Sequence, residues 1–301
     1  MANLRDIRRR IKSVKNTSQI TKAMELVSAA KMKKAQNQAL AGREYADQLN
    51  QVLTNLKENT DEASHPLLED RGEGGKELML VISTDKGLCG GLNTNLLKKV
   101  RSAMNENTEF ITVGKKLRLS VIKLGGNVIA DWHVGDPVPF GDAKPIAKFV
   151  TEKFLSGDYD KISVAFNNFV STLKQDPWIS QLLPIKADQL AEKRAYEGVG
   201  AKDGDAHDTD KAAALAKDYL FEPSAEGVLD KLLPLYINFQ VYQMIVEARA
   251  SEHSARMVAM KAATDNAKSM MKDLTLEYNK LRQAAITAEL LEITTAMKAM
   301  E

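Results

Sequence analysis

Both ends of this chain lack the residues that stop a helix. Positions 3 to 58 hold no proline and one glycine, Gly42, and Leu235 to Met300 hold neither. Helices of about 56 and 66 residues are therefore permitted, rods of roughly 80 and 100 Å at about 1.5 Å per residue. Rods that long outreach a domain of this size, so much of each must find a partner outside an ordinary core. Function is accordingly sought in the terminal helices.

The apolar spacing supports pairing. Leu4, Ile7, Ile11 and Val14 follow at steps of 3 and 4, Ile20, Met24 and Val27 resume the pattern after a phase shift, and Gly42, Ala46, Leu49, Leu53 and Leu56 restore it. Such steps make a narrow coiled-coil seam. The last helix offers Val241, Ile245, Ala248, Ala255, Ala259 and Ala262, then Leu274, Leu281, Ala285 and Ala288, a seam mostly of alanine that lets two axes come close. Two unlike helices in one chain predict an antiparallel or tilted pair. Dimerisation of two chains is the competing arrangement.

Between the rods the pattern alternates strand and helix. Strands are expected at Leu78 to Ile82, Glu109 to Val113, Asn127 to Ala130 and Lys161 to Phe166, with helices at Asn93 to Asn105, Lys115 to Leu124 and Asp142 to Leu155. Leu182 to Ile185 reads as a fifth strand at an edge, because Pro184 cannot donate to a ladder. The fold class expected is α/β with long helices: an antiparallel coiled coil of the terminal helices plus a small three-layer α/β domain with a largely parallel sheet. Boundaries fall at 1–60 for the first coiled-coil helix, 76–186 for the α/β domain, 187–222 for a loop insertion and 223–301 for the last helix. Pro234 suits a first-turn position of that helix.

Composition narrows the function. With 44% apolar residues the chain can bury a core, and no run of apolar residues is long enough to span a bilayer. Met1 to Asp6 reads as neither signal nor transit peptide, so a cytosolic address is expected. Cys89 is the only cysteine, which excludes an internal disulfide. Residues 1 to 34 carry ten Lys or Arg against Asp6 and Glu25, a net of +8, so the remainder carries −6 to reach the formal +2. A helix this basic faces nucleic acid, an anionic membrane or an acidic protein, or is simply a solvated face.

The candidate chemical motifs fail on spacing. Asp85 to Asn93 sits where a phosphate loop would, but lacks both G-x-G-x-x-G and a closing Gly-Lys-Ser/Thr, and reads as a tight turn. Ser251, Glu252 and His253 point about 100° apart on a helix and read as surface residues. Asp203, Asp205, His207, Asp208 and Asp210 lack the glycine and glutamate of a calcium loop, and His65 and His133 have no companions at ligand spacing. No enzyme site, cofactor or metal is expected. From Ala284 to Met300, by contrast, only Glu289, Glu292 and Lys298 are charged, while Ile286, Leu290, Leu291, Ile293, Met297 and Met300 spread over more than one face. Such a helix must be enclosed, by this chain's own domain or by an external sleeve.

Six segments carry a resemblance over essentially the whole chain: Arg10 to Thr17 with Ile20 to Met24, Gly87 to Asn93, Phe221 to Ser224, Ser251 to Met257, Ala263 to Ala267 and Arg282 to Thr287. Together they resemble the gamma subunits of rotary ATP synthases. The resemblance implies a non-catalytic central rotor, one copy per complex, whose terminal helices turn inside three alpha and three beta subunits. Its α/β domain would stand against epsilon and the membrane c-ring, peripheral to the cytoplasmic face of the cell inner membrane. It implies that Lys22, Met24, Arg282, Gln283, Thr287 and Glu289 meet moving loops of the beta subunits, Arg282 and Gln283 through hydrogen bonds. The basic start would face acidic lever loops on beta. No nucleic acid is implied. One departure is the tip, where Glu292-Ile293 is followed by Thr294, Thr295 and Ala296 instead of valine and small glycine-rich residues. Thiol regulation does not carry over, since no cysteine lies near 195 to 210.

Overall fold

A computed structural model describes residues 4–58, 65–72, 74–185 and 225–300. The expected loop insertion at 187–222, with its aspartates, lies outside them. The first helix, α1, runs Leu4–Glu58 and the last, α5, runs Ala225–Met300. The last helix starts within the 223–301 span read from the sequence, but Pro234 lies inside it and not in its first turn. A proline there removes the bond to the carbonyl of Asp230, but Leu229, Leu233 and Ile237, at 3, 1 and 0% exposure, hold both sides of it in the core. Packing overrides the local stop signal.

Between them lie β1 (Glu77–Ile82), α2 (Leu92–Ala103), β2 (Thr108–Val113), α3 (Lys115–Lys123), β3 (Asn127–Trp132), α4 (Phe140–Leu155), β4 (Lys161–Phe169) and β5 (Gln175–Leu183). The sheet order is β3-β2-β1-β4-β5, with Leu80 between Ile111 and Val164. All pairs are parallel except β4 with β5. The fifth strand starts at Gln175, seven residues before the position read from sequence, because its polar opening gives no apolar run. Its internal Pro177 is tolerated at an edge. Successive residues of β1 face opposite ways: Leu78, Leu80 and Ile82 join a core with α4 and α5, while Met79 and Val81 join a second core with α2 and α3. That is the expected three-layer arrangement. At the β2 to α3 turn Gly114 has φ 91°, and a Cβ there would lie 2.3 Å from the Ser83 carbonyl oxygen, so only glycine fits.

The chain divides into two compact units, Met1–Ser28 with Arg256–Glu301, and Ala29–Ala255. In the first, Arg8 donates to the Tyr278 hydroxyl and Thr21 meets Thr264 at 2.7 Å. In the second, Gln243 Nε2 donates to the Ala39 carbonyl at 3.1 Å and Tyr45 packs on Phe239 with ring centroids 4.8 Å apart. Position falls along α5 as it rises along α1 in both units, so the helices pair antiparallel within one chain.

The seam differs from the one read by hydropathy. Ile7, Ser18, Thr21 and Ser28 are buried, whereas Ile20 and Val27 are 60% and 57% exposed. The steps of 3 and 4 from Leu4 continue through Ser18, Thr21, Glu25 and Ser28 with no phase shift. Helix geometry sets the inward face, and this stretch of it happens to be polar. On α5 the expected seam residues Val241, Ile245 and Ala248 are buried in the second unit; in the first unit the buried positions are Arg256, Met260, Thr264 and Ala267, while Ala262 and Ala288 face outward.

Candidate functional site

Within the unit formed by Met1–Ser28 and Arg256–Glu301, small side chains set the spacing of the helices. Thr264 Oγ1 donates back to the Met260 carbonyl at 2.8 Å, which leaves its oxygen able to accept from Thr21. A buried hydroxyl chain of this kind satisfies its polar atoms without widening the seam. Above it Arg8 lies over the Tyr278 ring at 5.4 Å while donating to its hydroxyl. Residues past Ala285 outrun α1, which begins at Leu4.

All six residues expected to touch partners lie at or near the surface of this unit. Lys22 is exposed and ion-paired to Glu25 at 2.9 Å, and Met24 is half-buried. Arg282, Gln283, Thr287 and Glu289 are exposed. Arg282 and Glu289, seven residues apart, share one face, and Gln283 and Thr287, four apart, share another. The six do not form one patch. Thr21 lies opposite Thr264, so Lys22 and Met24 sit some 20 residues of α5 away from the other four, roughly 30 Å along the helix.

The apolar tip stands uncovered by its own unit. Ile286, Leu290, Leu291, Ile293 and Met297 are 49 to 66% exposed and Met300 is 91% exposed. The departing residues Thr294 and Thr295 turn their hydroxyls inward, donating to the Leu291 carbonyl at 3.0 and 2.7 Å. Both hydroxyls thereby have a partner within the helix itself. Ile20 and Val27, which hydropathy alone places in the seam, form with Leu26 a second exposed apolar surface on α1.

In the other unit, Ser251, Glu252 and His253 are buried and not on the surface as their helical context suggests. They serve different neighbours: Ser251 donates to the Asn167 carbonyl at 2.9 Å, Glu252 accepts from Arg249 at 2.8 Å, and His253 Nε2 lies 3.2 Å from Asp136. They form no nucleophile and base pair. Asp85, from the glycine-rich turn, accepts from Arg249 at 2.8 Å and lies 3.1 Å from His133 Nδ1. Lys31 of the basic stretch reaches Asp136 at 2.7 Å. Burial pushes the Asp136 carboxyl up, but the ammonium of Lys31 and the nearby His253 outweigh it and hold the group below its ordinary range. Burial likewise pulls the Arg249 guanidinium down, and Glu252 and Asp85 more than reverse that. Sequence reasoning misses this cluster, since no spacing rule joins residues 31, 85, 136 and 249.

The family model described as ATP synthase matches residues 3–300. The ATP synthase gamma chain of Akkermansia muciniphila is 50% identical over 301 residues, covering 100% of both chains. That of Opitutus terrae is 47% identical over 296 residues and 98% of each chain. The chain belongs to the ATP synthase gamma-chain family. It is thus a non-catalytic subunit of the central stalk. Among solved structures, a chain of the Euglena gracilis mitochondrial ATP synthase (OSCP/F1/c-ring) shares the fold at TM-score 0.65 and 24% identity, covering 99% of this chain and 94% of that one. A chain of the Tetrahymena thermophila central stalk and c-ring does so at TM-score 0.60 and 23% identity, covering 81% and 99%.

Proposed function

We propose that the helix pair turns inside a sleeve of three alpha and three beta subunits, and that the α/β domain stands against epsilon and the c-ring. The observation that carries this is the tip: six large apolar side chains from Ile286 to Met300 are exposed in their own chain, an arrangement that persists only where a partner covers it. No helix among the described residues is long and apolar enough to cross a membrane, so attachment at the cytoplasmic face of the inner membrane comes through the complex.

In this reading Lys22, Met24, Arg282, Gln283, Thr287 and Glu289 meet moving loops of beta at two levels, with Ile20 and Val27 adding apolar contact at the lower one. The functional divisions are 1–60 and 223–301 for the shaft, 76–186 for the foot and 187–222 for an insertion. Exposed Leu88, Leu119 and Ile122 give the foot an apolar surface for its neighbours. Nucleic acid has no place in the scheme.

The test is Arg282→Ala with Gln283→Ala in the assembled complex. Each such contact is worth on the order of 1 to 3 kcal/mol, small against the many that hold a shaft in its sleeve. Coupled turnover should therefore fall while subunit recovery holds. Equal loss of both would make the pair structural and overturn its contact role.

A further inference from the structure

Two loops and two helices are fastened together around Arg249. Its side chain is 8% exposed, and its Nη2 donates to Asp85 Oδ2 at 2.8 Å and to the Val134 carbonyl at 2.9 Å, while Nη1 donates to Glu252 Oε2 at 2.8 Å. Asp85 follows β1 and Val134 follows β3, both at the C-terminal edge of the parallel strands. Two residues beyond Val134, Asp136 takes Lys31 of α1 at 2.7 Å and faces His253 of α5. The same short loop is thereby tied to both long helices.

Much of the remaining contact between α5 and the sheet domain is apolar, among it Ile237, Val241 and Ile245, and the Ser251 and Ser254 hydroxyls add only single bonds, to the Asn167 and Thr172 carbonyls at 2.9 and 2.6 Å. Apolar burial is proportional to area and has no direction, so it resists separation but tolerates sliding that conserves area. A guanidinium is planar, and its bonds hold only at one orientation. We infer that Arg249 is a positioning residue that keeps the α/β domain from turning about α1 and α5 under load, with Lys31, Asp136 and His253 as a second tie. This rests on the rotor reading above. A stabilising role alone is the competing account, although buried ion pairs often contribute little net to folding.

The two accounts part in the reconstituted complex, where ATP hydrolysis and ATP-driven ion pumping are measured in the same vesicles. Arg249→Met takes a cationic partner from the buried Glu252, so Arg249→Met with Glu252→Gln is the main variant, with Lys31→Gln and Asp136→Asn for the second tie. Ions pumped per ATP should fall several-fold against a steep opposing gradient, with hydrolysis and subunit recovery near wild type. Arg249→Lys, which keeps the charge but not the fork, should restore part of the loss. Wild-type pumping per ATP in both assembled variants, or a loss that only tracks lost subunit, overturns the tie. If the unmodified complex hydrolyses ATP without pumping, the rotor reading has failed and not this inference.

Discussion

Thr21 and Thr264 share one buried hydrogen bond across the antiparallel helices, 2.7 Å between hydroxyl oxygens. A seam built there from hydroxyls and alanine holds its register by pairing polar atoms, since little apolar area is available to it. Thr21→Val alone leaves Thr264 with an unused acceptor and should destabilise the chain by about 1 to 2 kcal/mol, whereas valine at both positions should come close to wild type. Urea unfolding of the two variants checks this. Equal losses in both would mean that the pair contributes shape only.

Gly114 makes a prediction about the sheet domain. With φ at 91° and the Ser83 carbonyl oxygen 2.3 Å from where a β-carbon would sit, Gly114→Ala meets both backbone strain and a rigid neighbour, and should cost about 3 kcal/mol or more. Loss of soluble, folded chain is the expected outcome. A fully stable variant would show that the β2 to α3 turn can shift.

His65 makes the stability of the same unit depend on pH. Its Nδ1 accepts from the Leu67 amide at 3.1 Å, and its Nε2 lies 3.4 Å from Asp230. Burial lowers its pKa from the ordinary 6.5, with Asp230 opposing only in part. The unfolded chain therefore binds the proton more readily, so the contribution is fully present above about pH 6.5 and is lost as pH falls through the folded value. The melting temperature should drop more steeply below about pH 6.5 in wild type than in His65→Asn. Parallel curves would remove His65 from the account.

The tip gives a prediction about handling. Deleting residues 286–301 removes Ile286, Leu290, Leu291, Ile293, Met297 and Met300, all exposed, and should lower light scattering by the isolated chain. Unchanged scattering would mean that this surface is not what drives association.

Much of this is legible in the sequence because long stretches without proline or glycine, and short apolar runs between turns, are local signals. Leu78 to Ile82 announces a buried strand and Ile286 to Met300 an apolar tip. Ser18, Thr21 and Ser28 escape notice because hydropathy ranks them as surface, although their spacing from Leu4 keeps them inward. Ile20 and Val27 are misplaced for the same reason. Pro234 is misread as a first-turn residue of α5, because its local preference yields to the burial of Leu229 and Leu233. Arg249 cannot be found from sequence, since its partners at Asp85 and Val134 are brought to it only by the sheet.

The basic face of α1 makes the last prediction. If it slides against acidic loops, its charge acts in sum and no single lysine is essential. Lys31 does not belong in the test, because it is committed to Asp136 at 2.7 Å and its loss would loosen the chain itself. Lys22, Lys33 and Lys34 are exposed, and changing all three to glutamine removes charge from that face at the loss of one ion pair, Lys22 to Glu25 at 2.9 Å. Torque in ATP-driven rotation of the assembled complex should fall at low salt and fall less at moderate salt, where a Debye length of about 8 Å already screens exposed charges. Single replacements should change little. Unaltered torque in the triple variant at both salt levels would mean that packing along Ile20 and Val27, and not charge, carries the load on this helix.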